Sequence, residues 1–505
     1  MLASRNTSYL IVATIGAFIA AGWSPPSAFA AVSISSAVSK NISCSSGVCT
    51  PTAADAVLNA TDLTNMLASS AVSVNTGGAL ASDIAVKAGF SWASANALTL
   101  DAYRSITVEK AVSDSGTASL TLLTDDGGSG GVLSFSTKGS ISFLGTENAL
   151  SISGNAYTLV NSVASLASAI AANPSGFYAL ANNYDASVDG TYSTSPIPTT
   201  LTGTFEGLGN TVSNLTIRFH GHKGAAAFFS AVGSSGILND IRLAHEQVRT
   251  FTSGGVAAGL AGDNSGSMSG DSVAGSFEGT NCGCTLAGLV VNNEGTIVAS
   301  AADVRMSSAG PVAGFVSENV GTISLSRAGG SVATTGTPDY LAAGFIDVNR
   351  GFIDQSFATA SVVGDENQSI VGGFAADDEG TTTNSYATGA VTGGDASYAG
   401  GMMGWSPGST VQTSYSAGLV SDGAGREVGG FIGYDDGAIL SNNDWDTTTS
   451  GTTQGTGEGN KAGLTGLTTQ QLQAGLPVGF DKKIWAENPN INGGLPYLIA
   501  NPPPQ

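Results

Sequence analysis

The chain has 505 residues, of which 42% are hydrophobic and only 11% charged, and it carries 70 glycines; such a composition favours strands joined by tight turns. The formal charge of −21 comes from 17 Lys and Arg against 38 Asp and Glu. That balance argues against nucleic acid or anionic lipid as a partner, because phosphate binding needs clustered cations, and its self-repulsion keeps a sparsely charged chain dispersed.

Residues 1–30 read as a signal peptide. Arg5 precedes the apolar run Tyr9 to Trp23, and Ala28-Phe29-Ala30 offers a small-x-small cleavage site. The mature chain is expected to begin near Ala31, leaving 16 positive against 38 negative side chains and a formal charge of −22. The apolar run is shorter than the ~20 residues that span a bilayer, Pro25 and Pro26 follow it, and no later run is long enough. The expected product is soluble, exported through the inner membrane, and either secreted or held at the cell surface.

Residues 31–160 form a β-rich region, with alternating apolar positions in Leu98 to Val108 and Gly131 to Leu144. Cys44 and Cys49 make one local pair of cysteines and Cys282 and Cys284 another. In an oxidising compartment these are expected as disulfides or free thiols. Zinc would need the pairs to converge across more than two hundred residues without a helping histidine. The run Asp125-Asp126-Gly127-Gly128-Ser129-Gly130-Gly131 occurs once, lacks the downstream Asp of a calcium repeat, and reads as a turn.

Residues 161–200 hold one short helix and a connecting segment. Ser162 can cap, Val163, Leu166 and Ile170 share a helical face, and Pro174 ends the run. The segment FEGLGNTVSNLTI (Phe205 to Ile217) then returns to alternation and reads as a β-coil.

Repeats dominate residues 201–450. Seven copies run from VAAGLAGDNSG at Val256 through LAGLVVNNEG, VAGFVSENVG, AAGFIDVNRG, VGGFAADDEG and AGGMMGWSPG to VGGFIGYDDG, which ends at Gly437. Their origins are Gly259, Gly288, Gly314, Gly344, Gly373, Gly401 and Gly430, spaced 29, 26, 30, 29, 28 and 29 residues apart. The next residue is always large and apolar (Leu260, Leu289, Phe315, Phe345, Phe374, Met402, Phe431), which predicts an internal stack. Five positions past the origin stand Asn264, Asn293, Asn319, Asn349, Asp378, Ser406 and Asp435, able to bond neighbouring backbone and expected as a polar ladder at a repeated turn. Glycine returns two residues later, from Gly266 to Gly437, where a left-handed or very tight backbone is expected. A unit of strands and turns with this period cannot bury its apolar face alone, so the copies should stack as a parallel β-helix. Six steps of about 4.8 Å would extend this part by roughly 30 Å. A β-propeller fits less well, since its blades need ~40 residues.

After Trp445 the pattern dissolves into TTTSGTTQGTGEGNKAG, a helical turn at Thr468 to Leu472, and an end through Pro496 and Tyr497. Residues 451–505 are expected to cap the last coil.

These repeats resemble the GLUG family, whose glycine turn is followed by an S-Y-A-T-G-x-V segment. Val371 to Gly380 followed by Ser385-Tyr386-Ala387-Thr388-Gly389-Ala390-Val391 is the closest copy; Ser356-Phe357-Ala358-Thr359-Ala360 and Ser414-Tyr415-Ser416-Ala417-Gly418 are more degenerate. FYALANNYDAS, FEGLGNTVSNLTI and WAENPNINGGLPYL are similar to flanking segments of bacterial filamentous-haemagglutinin-like proteins, so that the resemblance covers about residues 90 to 498. It implies an all-β protein built as a right-handed parallel β-helix (solenoid), acting as a secreted or surface-exposed adhesin. The implied partner is a host-cell, matrix or glycan surface. Asn173-Pro174-Ser175-Gly176 does not match the N-P-N-G landmark of two-partner secretion, and no C-terminal outer-membrane barrel is read, which leaves room for a separate export pore.

The rival reading is a secreted polysaccharide lyase or glycosidase, since β-helices host both. Paired carboxylates at Asp125-Asp126, Asp377-Asp378-Glu379 and Asp435-Asp436 could serve as acid and base, but the last two clusters fall in the repeated turn, where Asp is a turn former. His220-Gly221-His222 lacks a third metal ligand and His245-Glu246 lacks the second His of a metalloprotease helix. The chain is therefore expected to be non-enzymatic, with no catalytic residue, cofactor or metal.

Overall fold

In a computed structural model, residues 30–221, 224–280, 282–335, 341–364, 369–395, 397–421, 427–459 and 462–504 are described. The expected signal peptide, apart from its last residue, lies outside them. Strands take 48% of the described residues and helices 6%, and the strands wind into a parallel β-solenoid of about 13 turns.

The first coils have three strands each. Ala31–Ser35, Asp83–Val86, Ile106–Val108 and Leu133–Phe135 stack in parallel register, as do Phe90–Trp92, Ala111–Asp114 and Ser140–Phe143. Cys44 and Cys49 face each other in an antiparallel hairpin, Ile42–Ser45 with Val48–Pro51, and are disulfide-bonded. This section ends at the hairpin Leu150–Ile152 with Asn155–Val160, whose turn residues Ser153 and Gly154 have φ of 47° and 83°.

The sequence predicts one short helix and a helical turn in the tail; among the described residues there are three α-helices. Helix α1 (Ala60–Leu67) begins at Asn59, whose Oδ1 accepts from the amides of Thr61 and Asp62, and it buries Ala60, Leu63 and Leu67. Helix α2 (Val163–Ala172) is the expected one: Ser162 forms a capping box with Ser165, and Val163, Leu166 and Ile170 are buried. Helix α3 (Thr469–Leu472) is the helical turn read in the tail.

From residue 155 onward a second run of coils is built from four sheets, designated A to D. In one coil the chain passes through Val256–Ala258 (A), Ala261–Asn264 (B), Ser267–Ser269 (C) and Ser272–Gly279 (D), then enters the next coil at Thr285–Ala287. Each strand pairs in parallel with its counterpart one coil on, so equivalent residues lie in columns. Leu260, Leu289, Phe315, Phe345, Phe374, Met402 and Phe431 form the lumen column and are fully buried. The rings of Phe315, Phe345 and Phe374 stack with centroids 4.7 and 4.6 Å apart. Met268, Ile297, Ile323 and Ile353 fill the opposite wall, and all belong to one continuous core.

The glycine columns exist because adjacent coils approach too closely for a side chain. A Cβ on Gly314 would stand 2.0 Å from the carbonyl oxygen of Gly344, and one on Gly295 would stand 2.1 Å from that of Gly266. The left-handed backbone expected at Gly266 to Gly437 occurs only at Gly408 (φ 81°) and Gly437 (φ 97°). It lies instead at the corner between sheets C and D, at Asp240, Gly270, Ala299, Leu325, Gln355, Asn384, Thr413 and Asn442, with φ from 46° to 71°. A non-glycine residue there costs about 1 kcal/mol or more. What holds the corner is the next residue. The backbone amide of Ser300 donates to the Ser326 hydroxyl, Ser326 to Ser356, Ser356 to Ser385 and Ser385 to Ser414, each at 3.1 to 3.3 Å. The serine of the S-Y-A-T-G segment is this buried rung.

The tail does more than cap. Thr456–Glu458 and Leu464–Leu467 add strands to sheets B and D. Beyond them the chain returns along the flank of sheet D, where Phe480, Trp485 and Leu498 pack on the stacked rings of Phe357, Tyr386 and Tyr415. The Tyr415 hydroxyl donates to the Pro496 carbonyl at 2.7 Å, and the Asn492 amide donates to that hydroxyl. The aromatic residue of the repeat segment thus faces the tail.

Candidate functional site

The residues singled out at the repeated turn face inward. The side-chain amide of Asn264 donates to Oδ1 of Asn293, Asn293 to Asn319, Asn319 to Asn349, and Asn349 to Asp378, each at 2.7 or 2.8 Å. Asp378 ends the ladder as pure acceptor, taking bonds also from the Gly380 amide and the Thr382 hydroxyl. Burial pushes its pKa up to about 6 against these bonds. Asp435 accepts from the amides of Gly437 and Ala438. Because Asn264, Asn293, Asn319, Asn349, Asp378 and Asp435 are all buried, they can hold the coil but cannot touch a partner.

The outward columns beside them can. On sheet B the strand residue before the ladder gives Asp263, Asn292, Glu318, Val348, Asp377, Trp405 and Tyr434, in register along the axis. The turn residue after it gives Ser265, Glu294, Val320, Arg350, Glu379, Pro407 and Asp436. Arg350 bridges two coils, holding Glu379 through both carboxylate oxygens at 3.0 Å and pairing with Glu318 on its other side. The first of these columns changes character along the axis, from polar at Asp263 to aromatic at Tyr434.

At the aromatic end Tyr398 of sheet A stacks on Tyr434, ring centroids 5.1 Å apart at 23°, and Trp405 pairs in register with Tyr434. The three rings are half-buried, and the Trp405 Nε1 hydrogen is without a partner. Asp377, next in the column, is 8% exposed with Oδ1 unpartnered. Burial and then the nearby Glu379 push its carboxyl up to about 7. Half-buried aromatic faces in a row form a platform suited to a polyhydroxylated ligand. Sequence reading by the apolar and ladder columns missed this platform. The signal was available in the column before the ladder, where Trp405 replaces the Asp, Asn and Glu of other copies.

The remaining candidates are structural. Asp125 has φ 57° and its Oδ1 accepts from the Gly131 amide at 2.7 Å, closing the turn. His220 stacks on Phe251 at 4.6 Å, and His222 lies outside the described residues. His245 sits at φ 55° in a β-bulge that turns Glu246 into the lumen. Cys282 and Cys284 are bonded to each other. Among the described residues no three His, Cys, Asp or Glu side chains are placed to hold a metal ion. No known family model matches the chain, and no curated protein matches it.

Proposed function

We propose that the protein is an exported attachment rod whose sheet A and B face holds neutral or amino-sugar glycans of a cell or matrix surface. The Tyr398–Tyr434 stack with Trp405 beside it carries this reading. Sugar rings lay their C–H faces on such rings, and the exposed polar side chains of the neighbouring columns stand beside them. Asp263, Glu318, Glu379, Asp436 and the chain's overall charge disfavour anionic polysaccharides. A row of coils also suits a polymeric ligand, because weak contacts on one rigid body add through effective concentration. Retention of the mature protein on immobilised neutral polysaccharides, with and without Trp405, tests the reading.

A specific observation favours a second reading, glycan cleavage: a carboxyl pushed up to about 7 beside an aromatic platform has the character of a general acid. Asp377 stands in the outward column of sheet B, 8% exposed, whereas Asp378 is locked in the ladder. Release of sugar products that Asp377→Asn abolishes would establish this activity.

A further inference from the structure

A second concavity, of about 710 Å³, lies on the opposite side of the coils, within the range of roughly 300–1,000 Å³ usual for small-molecule sites. Three separate stretches of chain enclose it: the 132–137 segment of the first coils, the corners between sheets C and D, and the returning tail at Ile499 and Ala500. Both movable walls are tied down. Arg242 Nη2 donates to the carbonyls of Ser136 and Gly139 at 2.6 and 2.9 Å. The Asn501 amide donates to the carbonyls of Ser326 and Gln355, both at 3.1 Å.

The space follows from one column. Along the outward face of sheet D stand Ser272, Ala301, Arg327, Phe357, Tyr386 and Tyr415. Where the residues are aromatic, Phe480, Trp485 and Leu498 cover them. Where they are small, Phe480, Trp485 and Leu498 do not reach them and the groove opens. Its walls are apolar: Val132, Leu133, Phe135, Leu325 and Ile499. Four charged side chains also line it, Asp240, Arg242, Asp271 and Arg327, and Arg242 is already engaged by the Ser136 and Gly139 carbonyls. Arg327 forms no ion pair among the described residues, Asp303 acting on it only at longer range. Asp271 is 1% exposed, with Oδ1 taken by the Ile241 amide and Oδ2 without a partner.

We propose that this groove binds a small amphipathic carboxylate, its apolar chain lying over Ser272 and Ala301 and its carboxylate held by the Arg327 guanidinium. Charge complementarity selects the head group. In a chain with 38 acidic and 17 basic residues, an unpaired guanidinium in an apolar groove is a site for one carboxylate fork. This site is independent of the glycan face, so either can fail alone.

The test is calorimetric titration of the full mature chain with decanoate, using 1-decanol and decyltrimethylammonium as head-group controls. Saturable one-site binding of decanoate is expected, with the cationic analogue binding at least tenfold more weakly. Arg327→Met should weaken decanoate about tenfold and leave decanol unchanged. Ala301→Phe, which places a ring in the groove one coil before Arg327, should abolish both without lowering thermal stability. Absence of saturable decanoate binding, equal binding of the cationic analogue, or undiminished binding to Ala301→Phe would overturn the proposal.

Discussion

Asn319 donates its side-chain amide to Oδ1 of Asn349 at 2.8 Å, one coil further on, and both side chains are fully buried. Asn293, Asn319 and Asn349 each accept from the coil before and donate to the coil after, so loss of one strands its neighbour. Asn319→Leu removes the acceptor of the Asn293 amide and should cost about 1 to 3 kcal/mol, read as a lower urea midpoint. Asn319→Asp should cost more at pH 8 than at pH 4, because only a protonated carboxyl can donate to Asn349.

Phe345 has a ring on either side of it, Phe315 and Phe374, with centroids 4.7 and 4.6 Å away. Phe345→Ala opens a void in a column that cannot collapse without changing the coil spacing. The expected loss is about 3 to 5 kcal/mol, and hydrogen exchange should show the loss centred on the coils of Phe315 to Phe374.

The pH dependence of stability should run opposite to ordinary acid denaturation. Burial raises the pKa of Glu246, Asp271 and Asp347 well above the carboxylate range, and pushes Glu206 up to about 8 and Asp444 to about 7. Folding therefore takes up protons. The stability these groups contribute is full below about pH 4 and is lost as pH rises through 7 and 8. Thermal melts should show the midpoint falling from pH 5 to pH 8. Glu246 has both carboxylate oxygens buried and unpartnered, so Glu246→Gln should raise the midpoint at pH 8 and flatten the slope. An unchanged slope would remove Glu246 from the account.

Much of this architecture was legible in the sequence, because stacking turns a period into columns. Leu260 to Phe431 point into the lumen, and Ser162, Val163, Leu166, Ile170 and Pro174 mark the boundaries and buried face of helix α2. Other features left weaker traces. Helix α1 carries β-branched Thr61 and Thr64 and a single turn's worth of apolar spacing, too short a signal beside strong strand patterns. The left-handed corner went to Leu325 and Thr413, which no propensity would choose, because the buried serine rung fixes the backbone after them. The tail's place on sheet D depends on contacts between Tyr415 and Trp485, 70 residues apart in sequence, which local patterning does not carry.

That tail should be needed to shield the aromatic column. Trp485 is 1% exposed and touches Tyr386, Tyr415 and Phe480. Trp485→Ala should cost about 3 to 5 kcal/mol and release the segment from 480 to 504. Faster proteolysis after residue 467, with the coils left intact, is the expected readout. Resistance equal to the parent chain would show that the tail holds without this anchor.

The attachment reading is tested most directly by quantitative binding of the mature chain to an array of neutral, amino-sugar and anionic glycans, alongside the double variant Trp405→Ala and Tyr434→Ala. Both substituted side chains lie on the outer face of sheet B, so circular dichroism should be unchanged. The account predicts binding to neutral or amino-sugar polymers, weak or no binding to anionic ones, and at least a tenfold loss in the double variant. Failure of the parent chain to bind any glycan, or equal binding by the double variant, would contradict it.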